Sequence, residues 1–291
     1  MKRIALGLAG LCVAVSSTAA AAADQPVVLK LEQFRRSVAM RVEIGGKERL
    51  FQFDTGGGNT FMSPAIAKEL GCEKGARVVG FRMTGDKLDA PRCDDVAIKI
   101  DGHPFTSAVA GVYDVGEFNA KGVTVDGLLA LDIFEGKTIT IDFAGLRLIV
   151  ETPESAANRV AGATELPARL VREMGGYGLT IDAQVPSKVG HLGFELDSGN
   201  GGTILIAKPY AKVFGFDPDK GPQQGKFEVG KGIMAEGLIF PAGITLDGNL
   251  GMPFLKHYLV TLDLDRGRIW LSPNPTPPPA GMGVPPDAPK P

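Results

Sequence analysis

The sequence predicts an all-β protein of two duplicated lobes with short helices. Glycine is abundant, at 39 of 291 residues, and helical periodicity is scarce, which favours short strands joined by tight turns. The segment FQFDTGGGNT at 51–60 aligns without a gap on FELDSGNGGT at 194–203. A second pair follows in the same order: DGLLALDIFEGKTITIDFAGLRLIV at 126–150 aligns on DGNLGMPFLKHYLVTLDLDRGRIWL at 247–271. Two motifs recurring in one order mark an internal duplication.

Taken along the chain, the first 23 residues stand apart. Lys2 and Arg3 precede an apolar run from Ile4 to Val15 and the small residues Ala19 to Ala23. That is the layout of a secretory signal peptide cleaved after Ala23, with an apolar part too short for a membrane anchor. An N-terminal lobe is expected over 24–150. In it VAMRVEI and LFQFD form a hairpin through Gly45 and Gly46, Pro64 to Leu70 forms a short helix, and a hairpin turns at Asp101 and Gly102. Residues 151–176 are polar, rich in small residues and broken by proline, and read as a connector with a helical turn near Leu166 to Met174. A C-terminal lobe over 177–271 repeats the pattern: YGLTIDAQV and HLGFELD turn around Pro186 and Ser187, a helix covers Pro209 to Phe214, and YLVTLDLDRGRIWL closes the lobe. The dense prolines of 272–291 read as a solvated, disordered tail.

Composition removes several functions. A formal net charge of −2 gives no reason to expect a nucleic-acid partner. His103, His191 and His257 are scattered without zinc-ligand spacing. The glycine loops lack the Lys-Ser or Lys-Thr of a phosphate loop, and no GxSxG elbow supports a serine-hydrolase reading of His191 and Ser198. Trp270 reads as core, and Asp132 and Asp142 as turn carboxylates. Cys72 and Cys93 remain after cleavage, and spacing leaves open whether they are bridged or free.

Chemistry concentrates in the repeated loops. In each, an aspartate ends a strand and is followed by a hydroxyl residue, glycines and a threonine. Glycine allows the close backbone approach that points N–H groups at a carboxylate. A pseudo-twofold axis relating the halves would set Asp54 beside Asp197. Two carboxyls that close cannot both ionise, so they share a proton.

These loops resemble those of the retropepsin-like or pepsin-like aspartic proteases, in an exported, bacterial, two-lobed form. The carrying residues are Asp54-Thr55-Gly56, Asp197-Ser198-Gly199 and the segments DGLLALD and DGNLGMP, and the resemblance covers about Val27 to Pro273. It implies a double β-barrel fold with Asp54 and Asp197 as the catalytic dyad. Thr55 and Ser198 would cross-brace the loops, and Gly56 and Gly199 would orient the carboxyls. The dyad would activate water to cut extended peptide in the cleft between lobes, with no metal or organic cofactor. One chain supplies both halves, so a monomer is expected, in the periplasm or secreted. Three departures stand out. Ala130 replaces the glycine expected behind the first loop. The second half lacks one hairpin, so the flap comes from about Val78 to Asp89, with Phe81 as an apolar lid in place of tyrosine. No propeptide is evident before Val27. A peptide-binding protein that has lost hydrolysis remains the alternative.

Overall fold

The computed structural model describes residues 25–72, 75–118 and 122–285. The leader expected at 1–23 lies outside the described residues. The described residues form three sheets. In the first half the strand order is Glu32–Phe34, Ser37–Ile44, Lys47–Phe53, Gly127–Leu129, Phe61–Met62, His103–Val112, Lys87–Ile100, Arg77–Phe81. In the second it is Ala168–Glu173, Gly178–Ser187, Gly190–Leu196, Gly248–Leu250, Ile204–Ala207, Ile233–Ala242, Gln223–Gly230. The two orders correspond strand for strand, except that Arg77–Phe81 has no counterpart. That strand and the start of Lys87–Ile100 form the hairpin which the second half lacks. Aligned residues are accordingly 143 apart at Thr55 and Ser198 but only 121 apart at Thr140 and Thr261.

The third sheet joins the halves. Its order is Val27–Lys30, Arg147–Val150, Thr138–Asp142, Tyr258–Asp263, Arg268–Pro273, Thr164–Leu166. The central antiparallel pair comes from the aligned closing hairpins. Thr140 lies opposite Thr261, while Thr138 faces Asp263 and Asp142 faces Leu259. That register reads the same from either half, so the pseudo-twofold axis runs between the two threonines. Their buried hydroxyls hydrogen-bond each other at 2.9 Å. A buried hydroxyl needs a partner, and here each copy supplies the other's.

Local chemistry explains the turns. Gly45 and Gly46 have φ of 61° and 74°, and Asp101 and Gly102 have 48° and 83°, the left-handed pairs that two-residue hairpins demand. In the second half the turn falls at Lys188 and Val189, two residues beyond the expected Pro186 and Ser187. Ser187 Oγ closes it by donating to Gly190 O at 2.6 Å and accepting from Val189 N at 3.2 Å. The helix Pro64–Leu70 forms as expected, while Lys208–Phe214 is a 3-10 helix.

Two stretches differ from the sequence reading. The connector places its helix at Pro153–Val160, started by a reciprocal cap between Thr152 and Ser155 with proline at its first turn. Residues 168–173, expected near a helical turn, instead form a strand paired with Gly178–Ala183. Backbone pairing with a neighbouring strand outweighs the local preference. The tail is also not free over its described part. Ser272 and Pro273 finish the last strand, and Met282 is buried. Gly283 N donates to Arg36 O at 2.8 Å, and Lys256 Nζ donates to Met282 O at 3.0 Å. Proline gives way to Ala-Gly-Met-Gly at 280–283, where Gly281 and Gly283 take positive φ and let methionine turn inward.

The core is aromatic behind each repeated loop. Phe51, Phe53, Phe134, Phe194 and Phe254 are fully buried. Phe53 meets Phe134 edge to face at 6.3 Å, and Phe194, Phe214 and Phe227 form a second cluster with centroids 4.9–5.6 Å apart. The glycines that pair with Phe51 and Phe194, Gly127 and Gly248, have no room for a Cβ against those rings. Cys72, just past the helix Pro64–Leu70, is bridged to Cys93 on Lys87–Ile100 with Cα atoms 5.2 Å apart.

Replacing Cys72 and Cys93 together by serine should lower the urea midpoint, since a bridge closing a loop of this length stabilises by about 3 kcal/mol. An unchanged midpoint would show that the bridge contributes nothing to the folded state.

Candidate active site

Asp54 and Asp197 are placed by the same backbone device. Asp54 N donates to Leu129 O at 2.9 Å, and Asp197 N donates to Leu250 O at 3.1 Å. Each aspartate thus sits where its strand leaves the short parallel strand of the second motif. The loops then cross-bond. Thr55 N donates to Ser198 Oγ at 3.0 Å, and Ser198 N donates to Thr55 Oγ1 at 2.9 Å. Each hydroxyl passes its own proton on: Thr55 Oγ1 to Leu196 O at 2.6 Å, and Ser198 Oγ to Phe53 O at 3.0 Å. Both residues are buried, and four hydrogen bonds thus pair the polar groups of one loop with those of the other.

The glycines bring the carboxyls together. A Cβ on Gly56 would stand 2.8 Å from Asp197 Cγ, and one on Gly199 would collide with the Asp54 carboxyl. Gly56 N and Gly199 N both donate to Asp54 Oδ1, at 2.9 and 3.2 Å. Asp197 Oδ1 accepts from Asn200 N at 3.0 Å, and its Oδ2 accepts from Asn249 Nδ2 at 2.7 Å. Burial, the Asp197 charge and a hydrogen bond with Asp197 hold the Asp54 carboxyl well above the usual carboxylate range. Thr55, Gly56, Ser198 and Gly199 therefore all lie in the two loops that meet at Asp54 and Asp197.

A cleft of about 510 Å³ opens over Asp54. Its roof is the hairpin formed by Arg77–Phe81 and the start of Lys87–Ile100, turning at Arg82 to Asp86. The tip is tied to the other half: Met83 O accepts from Thr245 N at 2.8 Å and from Thr245 Oγ1 at 3.1 Å. Gly80 on this hairpin leaves space for Met174, whose Cε would be 2.8 Å from an added Cβ. Phe81 lines the cleft but is 61% exposed, so it serves as a rim more than a lid. The aromatic wall inside is Tyr113, edge to face with Phe61 at 6.4 Å.

Residues 40–133 match the family model described as aspartyl protease. Basic 7S globulin from soybean, known from a crystal structure, is similar over 85% of this chain and 94% of that one, with a TM-score of 0.51 at 12% identity. By sequence, then, residues 40–133 resemble the aspartyl proteases, and the chain as a whole shares its fold with the soybean globulin. No curated protein matches it by sequence. The family match contains Asp54 and the flap, while the pepsin-like double-barrel arrangement extends the likeness to the second half.

Three acidic side chains are more deeply held than their motifs suggested. Asp132, expected as a turn carboxylate, is braced by hydroxyls. Its Oδ1 accepts from Thr60 Oγ1 and its Oδ2 from Ser107 Oγ, both at 2.7 Å, and Thr60 Oγ1 in turn accepts from Ala130 N at 3.2 Å. Burial, opposed by these hydroxyl bonds, pushes the Asp132 carboxyl up to about 6. Asp142 is likewise buried, accepting from Gly145 N and Asn274 Nδ2 at 2.7 and 2.6 Å. Glu195, two residues before Asp197 on the same face, is buried and lines the cleft. Burial and the charges of Asp197, Asp182, Asp54 and Glu173 raise it well above the usual range. Ala130 fits without crowding: it is fully buried in extended backbone, whereas a Cβ on its counterpart Gly251 would meet Asn200 O at 2.5 Å.

Because the folded Asp132 holds its proton to a higher pH than an unfolded aspartate, its effect is to make stability fall as pH rises from about 4 to about 6. Asp132→Asn should remove about 3 kcal/mol of that fall, read by urea unfolding at several pH values. An identical pH slope in variant and wild type would show that Asp132 titrates as an ordinary carboxyl.

Proposed function

We propose that this protein is an exported aspartic endopeptidase in which Asp54 and Asp197 activate water against an extended peptide. The observation that carries the reading is the meeting of two carboxyls, one from each half, Asp197 buried and Asp54 part-buried, with Asp54 held above the normal carboxylate range at the floor of a roofed cleft. A pair that shares one proton offers a base and an acid at once. The ionised member takes a proton from water as oxygen attacks the peptide carbonyl carbon. The protonated member gives its proton to the carbonyl oxygen. Collapse of the tetrahedral adduct breaks the C–N bond: the leaving nitrogen takes up the proton that came from water, and one hydroxyl of the adduct returns its proton to the carboxylate that had acted as the acid, leaving a carboxylic acid product and the dyad with its one proton.

Fold alone does not carry activity, and the soybean neighbour is named as a globulin. The support here is local: both aspartates, both hydroxyls and both following glycines are present, with the hydroxyls and Gly199 bonded across the halves and Gly56 bonded to Asp54 of its own loop. Peptide would enter beneath the flap, which requires release of the Thr245 contacts to Met83 O. With the flap supplied by one half, the cleft is sided, and its backbone contacts would hold the peptide as an added strand. Both halves lie on one chain, so the working unit is a monomer. The lobes divide ahead of Ala168, since 168–173 pairs into the sheet of the second half and leaves 151–167 of the expected connector between them. The Cys72–Cys93 bridge is compatible with an extracellular protein, and among the described residues no helix is long and apolar enough to cross a membrane.

The test is cleavage of an unfolded protein by wild type, Asp54→Asn and Asp197→Asn across acid to neutral pH. Wild type should cleave, each variant should lose at least about a thousandfold in turnover, and activity should extend above the pH at which a free aspartate ionises, near 4, before falling as Asp54 loses its proton. Cleavage by either variant at the wild-type rate would rule out the dyad. Binding of uncut peptide by wild type would instead favour a peptide-binding protein without hydrolysis.

A further inference from the structure

The halves differ in what stands behind each aspartate. On the duplication, Gly57, Leu128 and Gln52 correspond to Asn200, Asn249 and Glu195. The strand register adds a fourth pair, since Ala39 lies beside Gln52 as Asp182 lies beside Glu195. In the first half Leu128 packs directly on Gly57: a Cβ there would stand 2.5 Å from Leu128 Cδ2. In the second half the same place holds an amide–amide hydrogen bond, from Asn200 Nδ2 to Asn249 Oδ1 at 2.8 Å. An apolar contact in one copy has become a polar one in the other, at two positions together.

The direction of that bond is set by backbone groups. Asn200 Oδ1 accepts from Gly202 N and Thr203 N, at 3.3 and 3.2 Å. Its Nδ2 must then point away, and it donates to Thr203 O at 3.0 Å as well as to Asn249 Oδ1. Asn249 is left with its Nδ2 toward two carboxyls, Asp197 Oδ2 at 2.7 Å and Glu195 Oε2 at 3.3 Å. Asn249 and Asp197 are both buried, where a charge-assisted bond is strong and an unmade one is costly.

We propose that Asn249, turned by Asn200, is a positioning residue that fixes the dyad's negative charge on Asp197 and its proton on Oδ2 of Asp54. This rests on the hydrolytic reading of the pair. Asp197 has an N–H donor on each carboxyl oxygen, from Asn200 N and Asn249 Nδ2, which suits the ionised form. Asp54 has both of its donors on Oδ1, leaving Oδ2 to carry a proton toward its twin. Leu128, the counterpart of Asn249, has no donor to offer Asp54. Apart from Asp54, the charged groups around this arrangement are Glu195 on the same strand, Asp182 on the neighbouring strand with Arg169 bonded to it at 2.9 Å, and Glu173. In the proposed reaction Asp197 is therefore the base and Asp54 the acid.

The experiment is carbon NMR of aspartate labelled at the side-chain carboxyl, with Asp54 and Asp197 assigned from their asparagine variants. At about pH 6, where a free aspartate is ionised, wild type should show Asp54 protonated and Asp197 ionised. In Asn249→Leu, which copies the first half, the two signals should converge as the proton spreads over both carboxyls. Asn249→Ser, smaller and polar but too short to reach Asp197, guards against misfolding of the leucine variant and should give the same convergence. Where peptide is cleaved, both variants should lose about tenfold or more in kcat with little change in KM. A proton that stays on Asp54 in both variants, or a wild type with equivalent signals, would overturn the proposal. The spectra need no turnover, so converging signals in a protein that cuts nothing would retain Asn249's role and discard the hydrolase.

Discussion

The structure depends on one reciprocal contact: Thr55 and Ser198 exchange backbone-to-hydroxyl bonds across the interface of the two halves, at 3.0 and 2.9 Å. Each hydroxyl accepts from the opposite loop and donates to a carbonyl beside the opposite aspartate. Buried in the interface, these groups pair with one another, and any other register would leave several polar atoms unpaired. The closing hairpins impose the same axis through Thr140 and Thr261. Two separate symmetric contacts thus converge on one placement, and Asp54 meets Asp197 as a consequence of it.

Much of this was legible in the sequence because duplication repeats the signal. A lone Asp-Thr-Gly is a weak turn motif, but two at matching places define an axis, and Thr140, Thr261, Gly127 and Gly248 recur because each lies on that axis or beneath a core ring. The missing second-half hairpin was equally readable, from the shorter spacing between motifs. What escaped depended on contacts remote in sequence. Residues 168–173 became a strand because Gly178–Ala183 was there to pair with them. The stretch 272–285 packed down because Met282 and Lys256, far apart in the chain, found each other's surroundings. Cys72 and Cys93 were readable only as a possibility until their Cα atoms were seen 5.2 Å apart.

The site residues that were missed share a different cause. Asn249, Glu195 and Asp132 sit within the repeats, at places where the copies disagree: Leu128 against Asn249, Gln52 against Glu195, Asp132 against Pro253. Identity between copies reveals the shared machinery, and difference reveals how each half has specialised. In the first half, Asp132 and two hydroxyls brace the loop carrying Asp54. In the second, two amides brace the loop carrying Asp197. Equal backbones with unequal surroundings are what separates an acid from a base in a pair of identical side chains.

The central claim is that the two halves bring their aspartates close enough to share one proton. A difference potentiometric titration, wild type against the Asp54→Asn Asp197→Asn double variant, counts the protons belonging to the pair. The account predicts that one proton is retained well above the ordinary carboxylate range and leaves in a step distinct from the other. Two protons leaving together near pH 4, as from free aspartates, would contradict it.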